Sequence, residues 1–298
     1  MSVTAGDLLT LRELQDLRGI SGLRAALLVL HAWGTIAAAM ALYAAWPSPL
    51  TLAVAVALVG ARQLGLVVLV HEAAHWRLFP RPRANDRVAR WLCAYPVGGE
   101  LSLYRRLHHL HHRHTQQPDD PDLALTAHLP VARAIFWRDA LRDLGGITAC
   151  TRVIGWPGWA EGPAAAWRRL RAPLAVNAVL FGGLAALGHG QLYLLLWLLP
   201  LATWYQLVTR LRNTAEHGRA TDPDDPLRNT RTVAAGPLAR AFLAPYWVNY
   251  HLEHHLFVFV PCWKLRQAHA LLLAKGYGPR MELARGYVDV VRRVTSTR

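Results

Sequence analysis

The sequence predicts an all-α integral membrane protein, and three observations carry that prediction. Charged residues make up only 17% of the 298 residues and hydrophobic ones 53%, against a usual charged share of ~25%. Uncharged runs near or above the length of a bilayer span occur in two pairs, each pair joined by a short turn. Histidines cluster at helical spacing just beyond those runs. The expected organisation is one domain over residues 1–298, with four spans arranged as two hairpins beneath a cytosolic histidine-rich cap.

The net charge of +14 belongs almost wholly to arginine, because Lys264 and Lys275 are the only lysines. A basic excess suits nucleic acid or an anionic membrane surface; beside long apolar runs the membrane reading prevails, and nucleic acid is set aside as a partner. Cys93, Cys150 and Cys262 are scattered, with no C-x-x-C spacing. They form no disulfide framework, which fits a reducing cytoplasm.

In chain order, Leu8, Leu11, Leu14 and Leu17 recur at helical spacing, and Thr10-x-x-Glu13 reads as a capping box. This predicts a short interfacial helix. Residues 25–46 carry no charge and form the first span; the run exceeds a signal-peptide core and no basic segment opens the chain, so it is read as retained. Pro47-Ser-Pro49 turns the chain into a second span at 50–70, interrupted by Arg62 and Gln63, with Arg62 read as structural. Residues 91–104 are apolar but too short to cross, and contain Gly98-Gly99-Glu100, which predicts a re-entrant or interfacial piece. Val131, Ile135 and Phe136 alternate with Arg133, Arg138, Asp139 and Arg142 in a second amphipathic stretch. Runs at 173–188 and 191–208, joined by His189-Gly-Gln191, supply the other two spans.

Neither tight turn contains Lys or Arg, whereas the N-terminus, residues 71–172 and the tail 210–298 hold nearly all the arginines. By the positive-inside rule both hairpins enter from the cytoplasm and both termini stay there. A bacterial inner membrane is the expected location. The topology brings every histidine cluster to one membrane face.

Those clusters are His71/His75, His108/His111/His112, His251/His254/His255 and the fragment Asn213-Thr-Ala-Glu-His217. They read H-x-x-x-H, H-x-x-H-H, H-x-x-H-H and N-x-x-x-H. Spacings of three and four place such side chains on one helix face. Adjacent imidazoles gain nothing by packing together and conflict when protonated; a metal removes the proton and the conflict. Nine convergent imidazoles exceed one tetrahedral zinc and suit two iron ions sharing a site. His109 and His114 fall outside the H-x-x-H-H register, and His31, His128, His189 and His269 read as ordinary hydrogen-bonded residues. Glu72, Glu216, Glu253 and the Asp119-Asp120-Pro-Asp122 run are candidate carboxylates for orienting the imidazoles.

Other chemistries meet parts of this pattern. His71-Glu-Ala-Ala-His75 matches the H-E-x-x-H motif of zinc metalloproteases, but that reading leaves the other boxes without a purpose. A metal transporter or zinc-bearing receptor would place ligands near mid-span, whereas these lie at span ends and beyond.

With its boxes placed, the chain resembles the membrane fatty acid desaturase superfamily from about residue 65 to residue 275. The matching residues are His71-Glu-Ala-Ala-His75, Arg106-Leu-His-His-Leu-His-His-Arg-His-Thr115, Asn213 to His217, and Asn249-Tyr-His-Leu-Glu-His-His-Leu-Phe257. The His111 to Asp122 stretch is also similar to carotene hydroxylases and ketolases. One departure is Val258, where acyl desaturases of this kind carry proline directly after His-His-Leu-Phe.

The resemblance implies that His71, His75, His108, His111, His112, His217, His251, His254 and His255 bind two irons, with Asn213 holding a bound water. It implies O2 as co-substrate and electrons from a separate redox protein, a ferredoxin or b-type cytochrome with its reductase. The activity it implies is insertion of a double bond into a fatty acyl chain; the alternative on the same scaffold is hydroxylation or ketolation of a lipid or carotenoid.

Overall fold

The computed structural model describes residues 4–296; residues 1–3 and 297–298, the extreme ends of the expected domain, lie outside it. The chain is mostly helical. Helix α1 (Leu11–Leu17) starts at the expected capping box, where Glu13 N–H donates to Thr10 Oγ1 and Thr10 N–H donates to Glu13 Oε2. Helices α2 (Gly22–Ala45) and α3 (Pro49–Ala74) form the first hairpin across the Pro47-Ser-Pro49 turn. Helix α4 (Leu101–His114) carries the second histidine box, and α5 (Arg133–Leu144) and α6 (Ile147–Ile154) follow it. Helices α7 (Pro163–Ala186) and α8 (Gly190–His217) make the second hairpin. Helix α9 (His251–Leu256) carries the last box.

Among the described residues, three helices are long and apolar enough to cross a membrane: α2, α3 and α8. The run expected to span at 173–188 forms the second half of α7, whose first half carries Arg168, Arg169 and Arg171. From Pro173 onward the helix rises only ~20 Å, against a hydrocarbon core of ~30 Å. The run expected at 191–208 instead continues to His217, so one helix leads directly into the site. Within it a π-helical turn at Leu194–Leu198 and an irregular residue at Thr203 reset the register.

Against the all-α expectation, the described residues also contain four two-residue strands. β1 (Val131–Ala132) pairs in parallel with β4 (Thr295–Ser296), and β2 (Thr232–Val233) with β3 (Leu283–Ala284). They tie the segments between helices to the C-terminal part of the chain. The short stretch at 91–104 becomes a π turn (Ala89–Ala94), a 3-10 turn (Tyr95–Val97) and the start of α4. Gly98 at φ +78° reverses the chain between them, a conformation in which glycine avoids the Cβ penalty.

Helix α3 is the hub. From Val59 to Ala74 nearly every residue is buried, polar ones included. Arg62 donates to the carbonyls of Arg240 (3.2 Å) and Ala241 (2.6 Å), and Gln63 donates to the Trp197 carbonyl (2.8 Å). Both polar interruptions thus donate to protein backbone, as the structural reading of Arg62 requires, although Arg62 Nε and Gln63 Oε1 find no partner among the described residues. Close packing needs small residues here. A methyl group on Gly60 would sit 2.9 Å from Trp204 Cβ, and one on Gly65 would sit 2.8 Å from the Tyr246 ring. On α7, Asn177 joins the 95–97 segment to α8: it donates to the Tyr95 and Pro96 carbonyls and accepts from Tyr193 (2.9 Å) and Trp197 (3.0 Å). Fully buried Asp143 joins α5 to α6 and α8 by accepting from Thr148 and Arg210.

Overpacking of this kind costs about 1–3 kcal/mol. Gly65→Ala should therefore lower the thermal unfolding midpoint of the detergent-solubilised protein. Gly182→Ala, where a methyl meets nothing within 4 Å, should leave it unchanged or raise it. Equal midpoints for wild type and Gly65→Ala would refute the close approach.

Candidate metal centre

Four helix segments deliver the nine histidines of the four boxes to one place. His71 lies in the last turn of α3 and His75 just past its end; His108, His111 and His112 lie on the last two turns of α4. His217 ends α8, and His251, His254 and His255 occupy most of α9. They form two groups in which the facing ring nitrogens all lie within 4.8 Å of one another. The first holds His71, His75, His108, His112 and His254; the second holds His111, His217, His251 and His255.

The partition follows from helix geometry. At 100° per residue, positions i and i+4 differ by ~40°, while i+3 falls ~60° to the other side. Each H-x-x-H-H box therefore divides. His108 and His112 go to the first group and His111 to the second; His251 and His255 go to the second and His254 to the first. His109 and His114 belong to neither, as their register suggested, and His109 Nε2 instead meets the Ala74 carbonyl at 3.1 Å.

The Nε2 atoms point at one another. Those of His108 and His112 are 3.0 Å apart, His112 and His254 3.1 Å, His217 and His251 2.8 Å, and His251 and His255 3.0 Å. Among the described residues, neither ring nitrogen of His71 has a hydrogen-bond partner, nor does His75 Nε2. Burial pushes the His75 imidazole down to about 3, helped by the charge of neighbouring His109. Burial likewise takes His108, His112, His251, His254 and His255 well below the ordinary histidine range, with the adjacent imidazoles adding to the effect. Neutral, converging, all-nitrogen donors left without partners fit two metal ions of the imidazole-preferring kind.

Carboxylates stand behind several rings. His111 Nδ1–H donates to Asp120 Oδ1 at 2.8 Å, and Asp120 also accepts from the Gln116 and Asp122 N–H groups. Burial, the largest single influence, would raise the Asp120 carboxyl, but the His111 bond and charge together with the Asp122 and Gln116 N–H groups hold it below its usual range. Glu72 Oε1 lies 3.4 Å from His71 Nδ1, and Glu216 Oε2 lies 3.3 Å from His251 Nδ1. Adjacent residues on a helix point ~100° apart, yet both of these carboxylates reach an imidazole. Glu253 does point away: it accepts from Thr232 and from His269 Nδ1 (2.6 Å), so it fixes α9 against β2.

Glu72 has a second task. Its Oε2 accepts from Cys262 N–H at 2.7 Å, tying the first box to the loop after the third. Val258 lies in that loop, so the departure from the usual proline falls close to the site. A metalloprotease reading needs the same glutamate free as a general base, and here it is engaged.

Residues that no motif announced complete the centre. Arg105 donates to the Ala73 (2.8 Å) and Ala74 (3.1 Å) carbonyls at the end of α3, and pairs with Asp86 at 2.6 Å. Asn85 adds a bond to the Ala73 carbonyl. Both satisfy carbonyls that a helix end leaves open. Arg212 pairs with Glu216 at 2.9 Å, one turn along α8. Only the spacing of 212 and 216, four apart on one helix, could have flagged this pair.

The groups border a cavity of about 440 Å³. His108, His111, His217 and His251 line it, with Asn213 and Tyr104 beside them. The Tyr104 ring stacks on His108 with centroids 5.3 Å apart.

Sequence comparison adds independent findings. The profile of the family described as Fatty acid desaturase matches residues 44–283. The dihydrorhizobitoxine desaturase of Bradyrhizobium elkanii is 28% identical over 243 residues, covering 75% of this chain and 67% of that protein. The β-carotene ketolase of Paracoccus sp. (strain N81106 / MBIC 01143) is 28% identical over 210 residues, covering 68% and 72%.

Loss of a carboxylate that orients a ligand typically costs ~10–100-fold in metal affinity. Asp120→Ala should weaken Fe(II) binding to the purified protein by about that factor, read by chelator competition. His114→Ala, outside both groups, should not. Unchanged affinity in Asp120→Ala would show that Asp120 does not orient His111 for a metal.

Proposed function

The chain belongs to the fatty acid desaturase family, and on that premise we propose that it is a di-iron membrane oxidoreductase that uses O2 to insert a double bond into an acyl or other lipid chain. The observation that carries this reading is the pair of buried imidazole groups beside one cavity. The family is di-iron dependent. His71, His75, His108, His112 and His254 would hold one iron, and His111, His217, His251 and His255 the other, with Asn213 serving the second group through a water.

When bound, such a pair supplies reductive activation of O2 and removal of hydrogen from an unactivated carbon, chemistry that no side chain can perform. This chain's residues do the rest. Burial keeps the imidazoles deprotonated and available as donors. Asp120, Glu72 and Glu216 lie on the Nδ1 side of their histidines, leaving Nε2 free to face the metal. The Arg212–Glu216 pair places a compensated charge in the cavity wall, which α3 lines with Val67 and Val70 and α8 with Tyr205 and Thr209.

Each turnover needs two electrons beyond those of the substrate's carbon–hydrogen bonds. A separate donor, a ferredoxin or b-type cytochrome with its reductase, would bring them to the arginine-rich cytoplasmic face, where charge complementarity favours an acidic partner. In this reading both termini are cytoplasmic, the whole of residues 1–298 forms one domain, and the membrane is the bacterial inner one. A second reading, oxygen insertion by the same residues, is supported by the similarity to a β-carotene ketolase.

Mass spectrometry of host lipids with and without the expressed protein distinguishes the two. A species lighter by two hydrogens establishes desaturation, and one heavier by one oxygen establishes hydroxylation. His108→Ala, His217→Ala and His254→Ala should each abolish the product with membrane insertion intact, whereas His189→Ala should not. An active His254→Ala protein would refute the ligand assignment.

A further inference from the structure

The cavity beside the histidines adjoins another. Val97, Gly98, Arg152 and Tyr205 line both it and a second cavity of about 460 Å³. The second is walled largely by apolar side chains, Val153, Trp156, Trp159, Leu170, Leu198 and Leu201 among them. Around it Ile147, Val153, Ile154 and Trp159 are exposed on the outer surface of α6 and the turn that follows. An apolar exterior with tryptophans suits the edge of a bilayer, so the second cavity is placed as a vestibule between membrane and site.

Arg152 stands at the throat between the two. Its Nη1 donates to Gln206 Oε1 at 2.7 Å, and Gln206 is itself buried and held by its bond to the Leu201 carbonyl at 2.9 Å. The guanidinium is therefore aimed by a fixed partner. Among the described residues it has no carboxylate within ion-pairing distance. The chamber's other charges are committed: Arg212 to Glu216, and Glu100 to the N–H groups of Ser102 and Leu103. Asp122 stands 3.9 Å from His111 Nδ1.

Arg152 is an exposed residue, and no carboxylate of the described chain offsets its charge. A substrate oxyanion would offset it and matches the planar fork of arginine. Resting on the oxidoreductase reading, we propose that Arg152 determines specificity by seating the oxyanionic head of an amphiphilic substrate at this throat. Because Arg152 lines the same 440 Å³ chamber as His111 and His217, the carbon that reacts lies only a few bonds from that head. The substrate class is a carboxylate or phosphate amphiphile oxidised near its polar end.

Calorimetric titration of the purified, iron-loaded protein with decanoate, decyl phosphate and decanol tests this without turnover. Wild type should bind an oxyanionic probe at least ~10-fold more tightly than decanol; the better of the two identifies a carboxylate or a phosphate head. Arg152→Gln should erase that preference while leaving decanol binding unchanged, and Arg152→Lys should keep part of it. Equal affinities in wild type, a preference that survives Arg152→Gln, or equal losses for all three probes would each overturn the proposal. The last outcome would mark Arg152 as a structural partner of Gln206. Since binding is read directly, the result stands apart from whether the host-lipid experiment finds a product.

Discussion

Nine imidazoles crowded into a buried space are the constraint on which the rest of this structure depends. They contribute little by packing, and any two protonated together would repel in a medium that screens poorly. Burial answers the problem by keeping them neutral. Neutral rings then need their nitrogens aimed, and Asp120, Glu72 and Glu216 stand where they can do so on the Nδ1 side. Each of those carboxylates is itself buried, so each needs a partner of its own: backbone N–H groups for Asp120 and Glu72, Arg212 for Glu216. The carboxylates are thus each held from behind, while His71, His217 and His254 keep Nδ1 atoms without a partner among the described residues.

Such a site needs a rigid support, and α3 provides it. The helix is buried over its second half and approached closely on two sides at Gly60 and Gly65. Its last carbonyls are taken by Arg105 and Asn85, so the turn carrying His71 and His75 is fixed by the helix that carries the second box. The loop after the third box closes on the same turn through Glu72 and Cys262. Three boxes are therefore positioned relative to one another by backbone contacts around one helix end, rather than by the histidines alone.

The cavities relate this support to chemistry. The chamber beside the histidines is lined by tyrosine, threonine, arginine and asparagine as well as valine, which is more polar than a hydrocarbon alone would call for. An apolar vestibule adjoins it. Together they suit an amphiphile whose polar and apolar parts meet different walls. Relatives whose names describe a desaturase and a ketolase show how differently one scaffold's neighbours act on carbon.

By itself the sequence determined that the histidines within each box share one side of a helix, because spacings of three and four act within a single helical turn and need no tertiary information. It also located the capping box at Thr10, the turns at Pro47 to Pro49 and His189 to Gln191, and the membrane character, all of which are local or compositional properties. Tertiary structure alone decided which half of each H-x-x-H-H box joins which group, since that depends on which helices face each side. It decided that Glu72 and Glu216 turn toward the site while Glu253 turns to His269 and Thr232, three glutamates that look alike in sequence. It extended the last apolar run to His217, and it placed Arg168, Arg169 and Arg171 within the helix expected to span. Arg105 and Arg152 were illegible for the same reason. One arginine among 31 has no local signature, and its partners lie across the fold at Ala73 and Gln206.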